Sequence, residues 1–214
     1  SSDVLTALGI DIMSDPNKSA QSLKEINLAF LFAPIYHPIL KNIAPIRKKI
    51  GKRTIFNLLG PLLNPALIDT QLIGIYDFNL AQTYCKILAE AGSKRVMIVQ
   101  GANKADEITT VGKAKICELK NNEISLYEFD PKEYGFSYCK NEKLVGKDPE
   151  YNAKAIIDLL NGKKSAFYDT VIINSAFVIL MKNKRKNLQE AIEFAKSLVD
   201  DGLALAKLKQ LKDF

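Results

Sequence analysis

Beyond residue 70 the chain alternates apolar runs with amphipathic stretches in a regular order. Residues 70–76 (TQLIGIY) and 95–101 (RVMIVQG) are apolar runs of strand length. Between them Asn79 can cap a helix that places Leu80, Tyr84, Ile87, Leu88 and Ala91 on one face, and Gly92 can stop it. Strand, helix and strand in that order form a β-α-β unit, which requires parallel pairing. Residues 113–118 and 123–129 flank a polar Lys-Asn-Asn turn and read as a hairpin added to the same sheet. Beyond Tyr151 the period is mainly helical, ending in amphipathic stretches over 188–199 and 203–211. Residues 170–181 are ambiguous: Val, Ile and Phe favour a strand, the length favours a buried helix, and a helix is predicted.

Ahead of residue 70 the pattern is more broken. Ser1-Ser2-Asp3 before Val4 and Leu5 reads as a helix cap and first turns. Ser22 and Glu25 have the spacing of a capping box for a short helix. Residues 28–33 are apolar throughout and stop at Pro34, which predicts a buried strand. Pro38 then opens a helical stretch, Pro45 sits in the first turn of a second one, and Gly51 ends it. There is no internal repeat and no low-complexity tract. The expected class is α/β, with a mainly parallel central sheet flanked by helices and an added hairpin, forming one main domain over 1–214.

With 47% hydrophobic and 25% charged residues in 214, the chain can bury one substantial core and does not have the composition of a disordered segment. A net charge of +6 permits contact with nucleic acid, yet acids and bases alternate over most of the chain, as on ordinary solvated faces. Cys85, Cys117 and Cys139 lie far apart and are joined by a single histidine, so neither a zinc site nor a disulfide framework is expected. Residues 26–40 carry two prolines and a histidine, and 55–68 is broken by Gly60, Pro61 and Pro65, so neither run spans a bilayer. The N-terminus has no basic region followed by an apolar core. A cytoplasmic protein without a membrane partner is the expectation.

The exception to the mixed charge pattern is the stretch from Lys41 to Arg53, which holds six cations (Lys41, Arg47, Lys48, Lys49, Lys52, Arg53) and no acid. Arg47 offers a planar fork of donors able to hold a carboxylate in two parallel hydrogen bonds, while a solvated helix face explains the same charges equally well. His37, between Tyr36 and Pro38, fits a packed histidine satisfied by backbone. Gly60-Pro61 brings backbone close to a flat ligand or simply turns the chain. Downstream, Asp106-Glu107 follows the second predicted strand at the edge where open α/β sheets place their ligands. An adjacent acidic pair suits Mg2+, which takes one or two carboxylates together with substrate phosphates and water; on a loop such a pair is more often solvated surface.

The run FLFAPIYHPILKNIAPIRKKIGKRTIFNLLGPLLNPA, with SSDVLTALG before it and ADEITT after it, closely resembles the anthranilate phosphoribosyltransferase family of tryptophan biosynthesis. The likeness extends from Ser1 through the last helices, and its wider superfamily includes the pyrimidine nucleoside phosphorylases. The resemblance implies transfer of the 5-phosphoribosyl group from phosphoribosyl pyrophosphate to the amine of anthranilate, with Mg2+ as cofactor and a homodimer as the assembly. By the same resemblance Arg47 of the APIR segment faces the anthranilate carboxylate, His37 of YHP lies along the acceptor channel, and Pro61 of the GPL turn lines it. Asp106 and Glu107 hold Mg2+ on the pyrophosphate, and Ser1 belongs to a serine-rich phosphate-binding loop. No residue is assigned as general base.

Where the chain departs from the family, the expectations narrow. The Gly-Thr-Gly-Gly-Asp loop and the Lys-His-Gly-Asn stretch of the family precede Ser1, so the chain reads as N-terminally truncated and inactive alone, with residues 36–65 contributing to an otherwise absent helical domain. Asn103-Lys104-Ala105 replaces the glycine and acid expected before Asp106. Three alternatives stand beside this reading: a pyrimidine nucleoside phosphorylase, a basic nucleic-acid-binding module using residues 41–53 and 182–186, and a non-catalytic part of a fused polypeptide. Against the second, no aromatic-rich recognition motif accompanies either basic cluster.

Overall fold

The computed structural model describes residues 2–52, 54, 56–66 and 68–214, with the side chains of all of these except Leu40, Lys41, Asn42, Ala44, Arg47, Lys48, Phe56 and Asn57. Its helices are α1 (Ser2–Ala7), α2 (Pro16–Ile26), α3 (Ala33–Tyr36), α4 (Ile39–Ile50), α5 (Phe56–Leu59), α6 (Ala81–Glu90), α7 (Pro149–Leu160), α8 (Ala166–Met181), α9 (Leu188–Asp200) and α10 (Leu203–Asp213). The strands are β1 (Thr70–Gly74), β2 (Arg95–Gln100), β3 (Ala114–Lys120) and β4 (Glu123–Phe129). Two compact units result, one of residues 1–65, 146–158 and 202–214, the other of 66–145 and 159–201. Among the described residues no helix is long and apolar enough to cross a membrane.

The second unit holds the sheet, in the order β1-β2-β3-β4. β1 and β2 pair in parallel with Ile73 opposite Ile98, as the β-α-β reading requires, and α6 is the crossover. The hairpin is also where the alternation put it: Asn121 and Asn122 take φ of 52° and 65°, the left-handed pair that suits a two-residue turn. The sheet is nonetheless mixed, not mainly parallel, because β3 runs antiparallel to both β2 and β4. The connection from β2 to β3 is a loop rather than a crossover helix, and a loop returns the chain antiparallel.

Val96 to Val99 of β2 are buried on both faces, which accounts for an uninterrupted apolar run where a one-sided strand would alternate. Cys117 of β3 meets Cys85 of α6, with sulfurs 3.5 Å apart, while Phe129 of β4 packs edge-on against Phe177 of α8 with ring centroids 5.1 Å apart. Phe129 pairs with Ala114, three residues from Cys117, so α6 and α8 cover opposite faces. Arg95 fastens α8 to the sheet: its guanidinium bridges Glu118 at 3.1 Å and donates to the carbonyls of Leu180 and Met181 in the last turn of α8. A cation on those carbonyls complements the negative end of the helix. α8 is therefore a fixed rod beneath the sheet.

The first unit is helical, with Leu8, Ile10 and Ala153 buried against Val4, Leu5, Ile156, Leu208 and Leu211. Three sequence expectations fail here for local reasons. Residues 28–33 form no strand: Asn27 turns the chain at φ 56°, Phe30 and Phe32 stack at 6.2 Å, and α3 begins at Ala33. An apolar run of six carries too little period to separate a strand from a packed irregular segment. Ser22 does not cap a helix, because Asp15 already does so by accepting from the N–H groups of Asn17 and Lys18, with Pro16 in the first turn. The Ser22 hydroxyl instead donates to Leu28 O at 2.6 Å. Pro45 lies inside one continuous helix, α4, instead of opening a second one; Gly51 at φ 63° ends it as expected.

Candidate functional site

The carboxylate pair leaves the carboxyl ends of the parallel strands β1 and β2. There is no room at either strand end for a side chain: a Cβ on Gly74 would stand 1.4 Å from Asp106 O, and one on Gly101 would stand 2.2 Å from Glu107 O. Close backbone approach of this kind is what glycine at a strand end permits. The loop closes on itself through Gly101 N–H to Ala105 O at 2.9 Å, with Asn103 and Lys104 both at positive φ, 57° and 61°. Beyond the acids, Asn174 of α8 donates to Ile108 O at 2.7 Å and accepts from Ile108 N–H at 3.1 Å. Gln100 ties the exit of β1 by donating to Tyr76 O at 2.5 Å.

Asp106 and Glu107 face solvent from this frame. Loss of hydration where the loop packs, then the charge of Asp106 beside it, pushes the Glu107 carboxyl above the ordinary carboxylate range. The residue as a whole remains exposed, so water screens much of that effect. A divalent cation relieves the same repulsion, and an oxygen pair of this kind fits Mg2+ when phosphate and water complete the shell. Among the described residues no group of three or more His, Cys, Asp or Glu side chains converges as a metal site, so phosphate and water would have to supply the rest of the shell.

In the first unit, His37 follows α3 and meets the turn Gly60–Leu62 that contains Pro61. Its backbone N–H donates to Ala33 O at 2.8 Å, and Nε2 lies 2.8 Å from Leu63 O. A carbonyl only accepts, so Nε2 carries the proton. The backbone-satisfied histidine expected from the sequence is what forms. Tyr36, His37, Leu59, Gly60, Leu63 and Pro65 are among the residues lining a pocket of about 170 Å³. Pro61 is half-buried in the same turn but is not part of that lining. Lys49 and Lys52 are exposed, whereas Arg47 contributes only its backbone to the described part of α4; its side chain, like all of Ser1, lies outside the described residues.

The geometry thus brings His37 to the Gly60–Leu62 turn and Asp106 to Glu107, each group within its own unit. Asn174 is the residue that sequence reasoning missed. The one amide in the stretch from Val171 to Met181, which is apolar apart from Asn174 and Ser175, is the signal that was available for it.

Comparison with known proteins places these observations. Residues 1–205 match the model of a glycosyl transferase family, a/b domain. Anthranilate phosphoribosyltransferase of Ruminiclostridium cellulolyticum is 42% identical over 210 residues, covering 98% of this chain and 62% of the relative. The crystal structure of the Thermus thermophilus enzyme of the same name superposes with a TM-score of 0.91 at 31% identity, covering 99% of this chain and 63% of that one. The Saccharomyces cerevisiae enzyme, solved in complex with PRPP and Mg, gives a TM-score of 0.91 at 27% identity over 99% of this chain and 61% of its own. A separate structure of the yeast protein holds 4-fluoroanthranilate. The chain therefore spans a little over three-fifths of the relatives it matches. Neither the nucleoside phosphorylase reading nor the nucleic-acid reading gains support from these relatives. With the matching model running from the first residue to within ten of the last, the chain belongs to the glycosyl transferase family that this a/b domain defines.

Proposed function

We propose that the protein carrying this chain transfers the 5-phosphoribosyl group of phosphoribosyl pyrophosphate to the amine of anthranilate, releasing pyrophosphate, as a step of tryptophan biosynthesis. The observation that carries this reading is 42% identity to an anthranilate phosphoribosyltransferase over 98% of the chain. Supporting it, a yeast relative is described with PRPP and Mg and with an anthranilate analogue.

Asp106 and Glu107 are the residues that hold Mg2+, and Mg2+ when bound neutralises charge on the departing pyrophosphate. The loop packed on Gly74 and Gly101 fixes the backbone from which both carboxylates project. Arg47 receives the carboxylate of the acceptor in a forked pair of hydrogen bonds and aligns its amine with the anomeric carbon. His37 and Pro61 shape the acceptor side. With the Nε2 proton of His37 engaged by Leu63 O, that ring holds the turn in place. Ser1 belongs to the phosphate-binding side. An aromatic amine is neutral near pH 7 and attacks directly, so no general base is required. On the same family likeness the whole protein is a cytoplasmic homodimer, with residues 36–65 contributing to a helical domain.

Loss of anthranilate fluorescence in the presence of phosphoribosyl pyrophosphate and Mg2+, with stoichiometric pyrophosphate release, is the expected result. Phosphorolysis of uridine or thymidine without anthranilate consumption would replace this reading by the phosphorylase one.

A further inference from the structure

We propose that Asn174 is the positioning residue of the Asp106–Glu107 pair, its side-chain amide setting how tightly that pair binds a divalent cation. The inference rests on the reading of these carboxylates as the Mg2+ site. Asn174 sits in the middle of α8 among Ile172, Ile173, Ala176 and Phe177, all buried. Its Nδ2 donates to Thr170 O at 2.8 Å, one turn back, and to Ile108 O at 2.7 Å, while its Oδ1 accepts from Ile108 N–H at 3.1 Å. One side chain thus satisfies both backbone groups of Ile108, as a neighbouring strand would. Ile108 is fully buried, so these groups have no access to water if the amide is removed.

The grip is one of three on consecutive residues. Asp106 O is packed against Gly74 at the end of β1, Glu107 O against Gly101 at the end of β2, and Ile108 is held by α8. α8 is itself fixed to the sheet by Arg95. The acids therefore leave a backbone braced from three sides, with Asn174 the brace on the exit side. Mg2+ demands near-ideal oxygen geometry, and side chains that hold a ligating residue in place change metal affinity when they are lost.

The test compares wild type, Asn174→Leu and Glu107→Ala in the protein that carries this chain. Leucine keeps the volume and removes all three hydrogen bonds. Three quantities are read: Mn2+ binding by electron paramagnetic resonance, the Mg2+ dependence of the transfer rate, and amide exchange over residues 101–112. Asn174→Leu is expected to raise the Mn2+ Kd and the half-saturating Mg2+ by roughly tenfold. Exchange over 101–112 accelerates, KM for anthranilate stays unchanged, and excess Mg2+ restores most of the rate. Gly101→Ala, which forces Glu107 O aside from the opposite direction, is expected to give the same metal shift without touching α8 and serves if Asn174→Leu does not fold. An unchanged Mn2+ Kd in Asn174→Leu beside a weakened one in Glu107→Ala would overturn the positioning role and leave the metal reading intact. If neither variant alters Mn2+ binding, the metal reading fails and this inference falls with it. A rate loss that excess Mg2+ does not restore, accompanied by a raised KM for anthranilate, would reduce Asn174 to a purely structural role and overturn the proposal.

Discussion

The carboxylate loop of the sheet unit and the segment from Ala33 to Pro65 of the helical unit differ in what holds them. The loop is gripped at three consecutive residues: Asp106 O and Glu107 O pack against the backbone of Gly74 and Gly101, and Ile108 is held by the Asn174 amide. The other segment is tied across its length by the His37 side chain reaching Leu63 O, has a proline within α4, and shows Ile39, Ile46 and Ile50 to solvent. A small, hard cation tolerates little error in the placement of its oxygens, whereas a flat organic acid is accommodated by a pocket and one directional side chain. The contrast matches the proposed division of labour between metal-bound phosphate and acceptor.

Gly74→Ala attacks the carboxylate loop directly and carries the largest expected effect. The added Cβ meets a backbone carbonyl that cannot rotate away, so a loss of about 3 kcal/mol is expected in a denaturant titration. A wild-type midpoint would show that the loop yields to the added methyl group. Arg47→Ala probes the other side. Losing a forked pair of charge-assisted hydrogen bonds costs about 2 kcal/mol, so KM for anthranilate should rise roughly 30-fold with KM for phosphoribosyl pyrophosphate nearly constant. Equal losses for both substrates would remove Arg47 from the acceptor role.

Smaller effects refine the comparison. Lys104, at φ 61°, adopts a conformation natural to glycine. Lys104→Gly should raise stability by about 0.5–1 kcal/mol, read from the thermal midpoint, with Mn2+ affinity unaltered. A fall in stability would mean that the loop is not strained at its tip. The pH dependence of the metal-free protein gives the finest test. Because the folded state raises the Glu107 pKa, by burial and then by Asp106, the folded state binds that proton more readily than the unfolded one. Stability should therefore fall as pH climbs from the ordinary carboxylate range through the raised value, and Glu107→Gln should flatten that slope. A thermal midpoint with the same slope in both proteins would contradict the assignment.

The two regions were also unequally legible. β1, α6, β2 and the hairpin followed from apolar runs and the breaks between them, because each of those signals is local, although Asn79 is not the cap expected: Asp77 accepts from the Asn79 N–H and α6 begins after Leu80. The acids could be located in the same way, as the first acidic residues after β2. What fixes them was not visible, since Asn174 and Ile108 are 66 positions apart and no periodicity links them. In the helical unit local signals competed: Asp15 outranked Ser22 as a cap, and α4 absorbed Pro45 because its neighbours on both sides are helical. The β2-to-β3 connection misled in another way, since nothing in the composition of the strands themselves records their direction.

The contact between Gly74 and the Asp106 carbonyl also limits how this loop can vary in length. With no clearance at the roots of the loop, an inserted residue is accommodated only at the exposed crest formed by Asn103 and Lys104. Within this loop, peptide tags, fluorophore handles or randomised libraries meant to leave the acid pair undisturbed therefore have one place to enter, between those two residues.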